Sequence, residues 1–325
     1  MSLLFRFQSL FGLVIVFVLA MIFSPVRHGQ LIFLDPGNLG NIVRAVSEIG
    51  ILAVGMTFVI LTGGIDLSVG AVLGVASVGT AILLTTENHG IVLTALVVLL
   101  IGLAFGGVQG ALSQKLRIQA FIVTLAGLQV ARGIARIWSG DQGIPITFGH
   151  GPKLAPPAFS VMTDSFLGGL LPVPALIFIG IGILGILVLR LTAFARHVYA
   201  VGSNEKAARL SGVPVDRIKI AVYAISGLLA AVAGIIHAGQ LNQGGPNDGL
   251  GYELEAIAAV VIGGTSLFGG EGSMAGSLAG ALFLGVLENI LELRGVNADL
   301  QLIVTGLVIV AAVALQRLRP AGADH

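Results

Sequence analysis

Ten apolar runs, each close to the length a helix needs to cross a bilayer, recur along this chain of 325 residues. A helix rises about 1.5 Å per residue and a hydrocarbon core is about 30 Å thick, so about 20 apolar residues make one crossing. The runs fall at 9–24, 42–62, 67–86, 91–112, 118–138, 173–190, 219–239, 252–269, 274–291 and 299–316. Inside lipid every backbone polar group must find an internal partner, which turns runs of this length into helices. The expected fold class is all-α, a polytopic integral membrane bundle of about ten transmembrane helices. Composition agrees. Charged residues are 10% and hydrophobic residues 56% of the chain, whereas a soluble domain carries about 25% charged residues.

Several classes drop out at once. A net charge of +1 gives no basic footprint for nucleic acid. The absence of cysteine removes disulfides and thiolate metal sites. The six histidines, 28, 89, 150, 197, 237 and 325, show no metal spacing, and no nucleophile–base arrangement reads as catalytic. No cofactor is expected. The first run follows Arg6 and leads into Ser24-Pro25-Val26-Arg27 with no small-x-small cleavage pattern. It reads as a retained span rather than a signal peptide. The chain, 1–325, reads as one membrane domain.

Basic residues orient the spans. With ten spans both termini share one side. Placing them in the cytoplasm puts Arg6, Lys115, Arg117, Arg190, Arg196, Lys206, Arg209, Arg217, Lys219, Arg317 and Arg319 inside, which is eleven of the 17 Lys and Arg. Arg27, Arg44, Arg132, Arg136, Lys153 and Arg294 fall outside. The proline-rich stretch 139–172 is then an external loop and the basic stretch 191–218 a cytoplasmic one. The single Trp138 falls at an outer helix end, where an interfacial anchor belongs.

A faint internal repeat is readable. Gly64-Ile65-Asp66-Leu67-Ser68-Val69-Gly70 heads the third span and Gly251-Tyr252-Glu253-Leu254-Glu255-Ala256 the eighth. Each places an acid and a glycine before a small-residue helix. The two spans run in opposite directions, the arrangement of an inverted repeat in transporter folds.

The polar residues divide between structural and functional readings. Asp66 and Ser68 read as helix N-caps or as a polar gate at the inner end of a pathway. Glu253 and Glu255 open the eighth span near the outer face, where a helix dipole favours acids. With Gln240, Asn242 and Gln243 at the preceding helix end they also offer groups suited to sugar hydroxyls. Thr265 lies in the glycine-rich stretch 263–272, which reads as a broken helix end or as close helix packing. Arg44 and Glu48 stand four apart and can pair on one helix face. Glu288, Asn289, Glu292 and Arg294 read as structural pairing near a span end.

The loop 191–218 is the most informative segment. Ser203 and Asn204 are N-cap types, Glu205 to Leu210 favour helix, and Gly212 with Pro214 ends it. A short helix with small Ala207 and Ala208 between charges suits docking into a partner's cleft; it also suits a plain surface linker. Glu205-Lys206-Ala207-Ala208, with Gly212 seven residues after Glu205, resembles the coupling helix of ATP-binding-cassette importer permeases, although the general motif places its glycine one residue closer. The ribose/xylose/arabinose-type sugar permeases resemble the chain more fully: at Ala53-Val54-Gly55-Met56-Thr57, at Ile60-Leu61-Thr62, at 64–70, at Arg209-Leu210-Ser211-Gly212, at Ile218-Lys219-Ile220, and from Gly251 through Val261 to Gly263-Gly264-Thr265-Ser266-Leu267.

That resemblance implies a bacterial inner-membrane permease importing a monosaccharide by alternating access. It implies a cytoplasmic ATPase subunit, an external sugar-binding protein and a second permease copy or paralogue, all beside membrane lipid. It implies ATPase coupling at Asn204, Glu205, Ala207, Ala208, Arg209 and Gly212; the functional reading of the polar residues themselves gives a substrate pathway at Asp66, Ser68, Gln240, Asn242, Glu253, Glu255 and Thr265. No Gly-Lys dipeptide occurs, so the chain lacks a phosphate-binding P-loop of its own. Permeases for branched-chain amino acids keep the same machine with another cargo. An ion-coupled secondary transporter would more often carry an ionisable pair at mid-span. A membrane-embedded enzyme is a more distant rival for want of a catalytic set.

Overall fold

The computed structural model describes residues 8–317, so Arg6 and Arg319, which entered the orientation count, lie outside the described residues. Twelve helices carry the described chain. α1 is Gln8–Phe23, α2 Pro36–Leu61, α3 Val69–Ala81, α4 Ile91–Leu116, α5 Ala120–Ser139 and α6 Val173–Leu191. α7 is Ala193–Ser203, α8 Glu205–Leu210, α9 Val215–Leu241, α10 Tyr252–Ile262, α11 Met274–Leu293 and α12 Ala298–Arg317. Seven are long and apolar enough to cross a membrane, α3 when counted through the π-helical turn that extends it to Thr86. Shorter apolar helical stretches occupy Leu10–Phe23 and Ala298–Ala311. The protein is a polytopic all-α membrane bundle, and sheet among the described residues is confined to three two-residue pairings and one isolated bridge at the loops.

Helix ends follow local chemistry. Asp35 opens α2 by accepting from the amides of Gly37 (2.9 Å) and Asn38 (3.3 Å), with Pro36 in the first turn. Ser273 opens α11 through the amide of Gly276 at 3.1 Å. α4, α5 and α9 each stop on a left-handed residue, Arg117, Gly140 and Asn242.

The helices alternate between two faces, named here for what they carry. The basic face holds α7, α8 and the connection 263–273. The loop face holds the segment 140–172, which is stitched to the end of α9 by Ile144 against Gly244 and Pro145 against Gln243. At the centre, α3 is buried on nearly all sides among α4, α5, α9 and the start of α10. α4 packs closely on α9. Gly102 and Gly106 approach Gly227 and Tyr223 so closely that an added Cβ on either would meet the backbone carbonyl opposite. Small residues four apart allow such contact, and dispersion then holds two helices that have no hydrophobic effect between them in lipid.

Two sequence expectations need correction. The eighth expected span, 252–269, does not cross. α10 has only 11 residues, about 16 Å of helix. Gly264, Gly269, Gly270 and Gly272 all take positive φ and break it before a second half can form. Trp138, expected as an interfacial anchor, sets its ring against Gly79 of α3 and so packs inward.

Candidate functional site

Three assemblies bring together the residues singled out by sequence. The first is the α7–α8–α9 hairpin on the basic face. Asn204 Oδ1 accepts from the Ala207 amide at 3.0 Å and starts α8. Gly212, at φ +83°, ends it, and the Val213 amide returns to the Ala208 carbonyl at 3.0 Å. Nothing lies within 4 Å of a Cβ at Gly212, so backbone conformation alone selects glycine there. Glu205 receives Lys219 Nζ at 2.6 Å and Arg209 at 3.3 Å, and Arg209 also reaches Asp216 at 2.7 Å. Partial burial alone would raise the Glu205 carboxyl, but the Lys219 ammonium and the Arg209 guanidinium outweigh it and hold the carboxyl below its ordinary value. Ala208 turns inward and is buried. What α8 offers solvent is Lys206, Ala207, the Arg209 side chain and Leu210, the last 90% exposed. The sequence did not single out Leu210, because six helical residues are too few to show which face turns inward.

The second assembly surrounds Asp66, which is 1% exposed. Its carboxylate accepts from the Ser68 amide at 3.0 Å, the Ser68 hydroxyl at 2.7 Å and the Ser226 hydroxyl at 2.8 Å. Gln109 Nε2 donates to Ser68 at 2.8 Å, while Tyr223 and Thr124 donate to the Ile65 carbonyl. Asp66 thus closes the turn that leads into α3, and the Ser68 side chain makes no cap bond to the helix. Four helices, α3, α4, α5 and α9, meet at this turn.

The third assembly lies within the bundle. After α9 the chain re-enters along α3. Gly244 lies against Ser77 and Ala81, and Gly249 against Gly70. The Asp248 carboxylate accepts from Ser77 at 2.6 Å and from the Gly245 amide at 2.7 Å. α10 begins beside Gly70 and runs to the basic face, where the Gly270 amide donates to the Leu61 carbonyl at 3.0 Å. Glu253 and Glu255 therefore stand inside the bundle rather than near the outer face, because the residues before them descend with the re-entrant segment. Glu253 is buried next to Gly70 in the field of Arg132, and Glu255 is half-buried within electrostatic reach of Glu288. Arg132 donates to the carbonyls of Pro246 (2.7 Å) and Asp248 (2.8 Å). α3 and α10 run in opposite senses, as the faint repeat required.

Beside this segment sits a histidine–carboxylate pair that the sequence did not disclose. His237 Nδ1 lies 2.7 Å from Glu48 Oε2, and its Nε2 lies 3.6 Å from Asp248. Gln240 Nε2 donates to Glu48 Oε1 at 3.1 Å. The expected Arg44–Glu48 pair is absent among the described residues. Arg44 instead donates to the Thr163 carbonyl in the 140–172 segment, because Glu48 turns inward while Arg44 reaches the loop face. Asn289 exchanges hydrogen bonds with Asn38, and no ion pair joins Glu288 or Glu292 to Arg294 among the described residues. Asn242 is exposed at the loop face. Thr265 is fully buried, its hydroxyl unpartnered, over Gly272. The stretch 263–272 is both a broken helix end and a packing seam, since Gly263 abuts Gly276 of α11.

Residues 38–313 match the family model described as "Branched-chain amino acid transport system / permease component". The chain belongs to this permease family. The permease is 42% identical to the ribose import permease protein of Haemophilus influenzae over 306 residues, covering 94% of this chain and 91% of that one. It is 42% identical to the ribose import permease protein of Bacillus subtilis, covering 95% and 92%. Identity to the L-arabinose transport system permease protein of Escherichia coli K12 is 37%, covering 97% and 92%. No solved structure matches the permease.

Proposed function

We propose that this chain is the membrane-spanning subunit of an ATP-binding-cassette sugar importer, moving a ribose-type pentose or related sugar into the cytoplasm. The family model names branched-chain amino acids, but relatives alike over more than nine-tenths of their length carry ribose and arabinose in their names. Among the described features, the one that carries the reading is α8. It is a capped six-residue helix whose Glu205 and Arg209 are tied to α9 and whose Lys206 and Leu210 are left to solvent. The ties from Glu205 to Lys219 and from Arg209 to Asp216 hold this helix rigidly against α9, as a motion-transmitting contact requires.

On this reading the basic face is cytoplasmic and both termini lie there. α8 docks on a separate ATPase subunit, an external sugar-binding protein delivers cargo to the loop face, and a second permease copy or paralogue completes the path. The whole chain works as one membrane domain. ATP binding shifts the ATPase, and α8 passes the motion to α9 through the Glu205–Lys219 and Arg209–Asp216 ties. α9 in turn is packed on α2, α3 and α4 and continues into the re-entrant segment. The start of α10, with Glu253 and Glu255, then faces the pathway with weak polar contacts, and Gln240, Asn242 and Asp66 shape its two ends. Discontinuous helices that begin inside the bilayer serve this purpose in transporters generally.

Proteoliposomes holding the chain with its ATPase and binding protein test the proposal. ATP-dependent accumulation of labelled ribose, arabinose or xylose is expected. Accumulation of leucine with none of the three pentoses would overturn the cargo, and pentose uptake driven by an ion gradient without the ATPase would overturn the machine.

A further inference from the structure

The α4–α5 face holds a groove that no part of the described bundle fills. Val108, Leu112 and Leu116 of α4 and Ile122, Ala126 and Val130 of α5 line a cavity of about 320 Å³ that opens sideways, each of them exposed. That volume is at the lower end of what small-molecule sites offer. The groove lies in the membrane-spanning part of both helices, where lipid is the solvent. Among the lining residues only Gln109 is polar.

Toward the basic face the groove meets a second, wider cavity of about 780 Å³, and Ile118 lines both. Lys115 and Arg117 stand on this rim because α4 ends there, with Arg117 in the left-handed conformation at φ 57° and Ser113 donating to the Ile118 carbonyl at 3.0 Å. The cavity also holds Glu205 and Asp216, but Lys219 and Arg209 already occupy these. Neither Lys115 nor Arg117 forms an ion pair among the described residues. Two cations that form no ion pair, Arg117 in the field of Asp216, thus stand at the mouth of an apolar groove, at the depth where headgroups lie.

We infer that this groove and rim form a binding site for one anionic glycerophospholipid, with an acyl chain between α4 and α5 and the phosphate at Lys115 and Arg117. Charge complementarity selects the head, since basic residues at a membrane face attract anionic lipid. The site also has a route to the transport machinery. Gln109 forms the groove's polar wall, its Oε1 is buried without a partner, and its Nε2 holds Ser68 of the Asp66 turn. An occupying chain presses on the residue that props that turn, so a filled groove stabilises one arrangement of the turn over another. The inference needs only the membrane placement of α4 and α5 and stands apart from the proposed cargo.

Native mass spectrometry of the purified full chain, delipidated and returned to phosphatidylglycerol or phosphatidylcholine, tests it. One phosphatidylglycerol is expected per chain, retained in clear preference to phosphatidylcholine. Lys115→Ala and Arg117→Ala should each weaken retention about fivefold. Ala126→Trp, which fills the groove from its lipid-facing side, should abolish retention while leaving the thermal midpoint in detergent unchanged. Equal retention of the two lipids, or phosphatidylglycerol binding untouched by Ala126→Trp, overturns the site. Displacement by glycerol phosphate alone would place recognition in the wide cavity and overturn the acyl-chain part. Because the chain has no cysteine, a disulfide between two copies carrying Val108→Cys, formed without loss of bound lipid, would assign the groove to a helix–helix contact instead.

Discussion

Leu210 carries an apolar side chain into water beside Glu205 and Arg209, whose charges are engaged with Lys219 and Asp216. Burying a leucine in a partner's cleft contributes about 1.5–3 kcal/mol. Leu210→Asp should therefore weaken association with the ATPase about tenfold to a hundredfold, read by co-purification or interferometry, while insertion of the chain is unchanged. Gly212→Val makes a different error: it forces a β-branched residue to φ +83°, unwinding the end of α8. Transport should fall and the ATPase should turn over without it. Glu205 gives a pH signature. Its carboxyl is held below the ordinary range by Lys219 and Arg209, so its contribution is present at neutral pH and is lost as pH falls through the depressed folded value. Coupling should decline on the acid side below about pH 4, and Glu205→Gln should remove that limb of the profile. These residues were legible in sequence because capping and helix-ending chemistry are local. The orientation of Ala208 toward the core, and hence the importance of Leu210, was not, since a six-residue helix carries too little periodicity to assign a face.

At the scale of the element, α4 and α9 show how sequence and packing agree. Gly102, Gly106 and Gly110 repeat every four residues on α4 and each meets α9 backbone. Gly106→Val drives a side chain into the Tyr223 carbonyl and should cost about 1–3 kcal/mol, read as a lowered thermal midpoint in detergent. Gly107→Ala is the control, because a Cβ there finds only an ordinary contact with Ala224 at 3.7 Å. A matching loss in both variants would contradict the packing account. The long apolar elements were readable because length and hydropathy alone define a crossing. α10 was not, because a broken half-helix followed by apolar loop residues has the same hydropathy as a whole span. Once that boundary was misread, Glu253 and Glu255 were placed at the wrong depth. The pairing of Glu48 with His237 was hidden for another reason: the two are 189 positions apart, and a helix-face rule favours the nearer Arg44.

The whole molecule reads as two layers of function on one bundle. The basic face carries the short helix α8, proposed to dock on the ATPase, and the interior carries two helices that begin inside the membrane and run in opposite senses. α9 connects them, tied to α8 by two ion pairs at one end and continuing into the re-entrant segment at the other. Resemblance to sugar permeases named the family from blocks of sequence, and the comparisons agree, but which polar groups touch cargo depends on tertiary depth that those blocks do not encode. The central claim, that α8 passes the work of a separate ATPase to the bundle, is tested most directly by simultaneous measurement of ATP hydrolysis and sugar uptake in proteoliposomes. The vesicles would hold the chain, its ATPase and its binding protein, with wild-type α8 or Gly212→Val. The account predicts that the variant keeps the ATPase bound and hydrolysing while uptake falls at least tenfold. Uptake that stays in step with hydrolysis in the variant would contradict it.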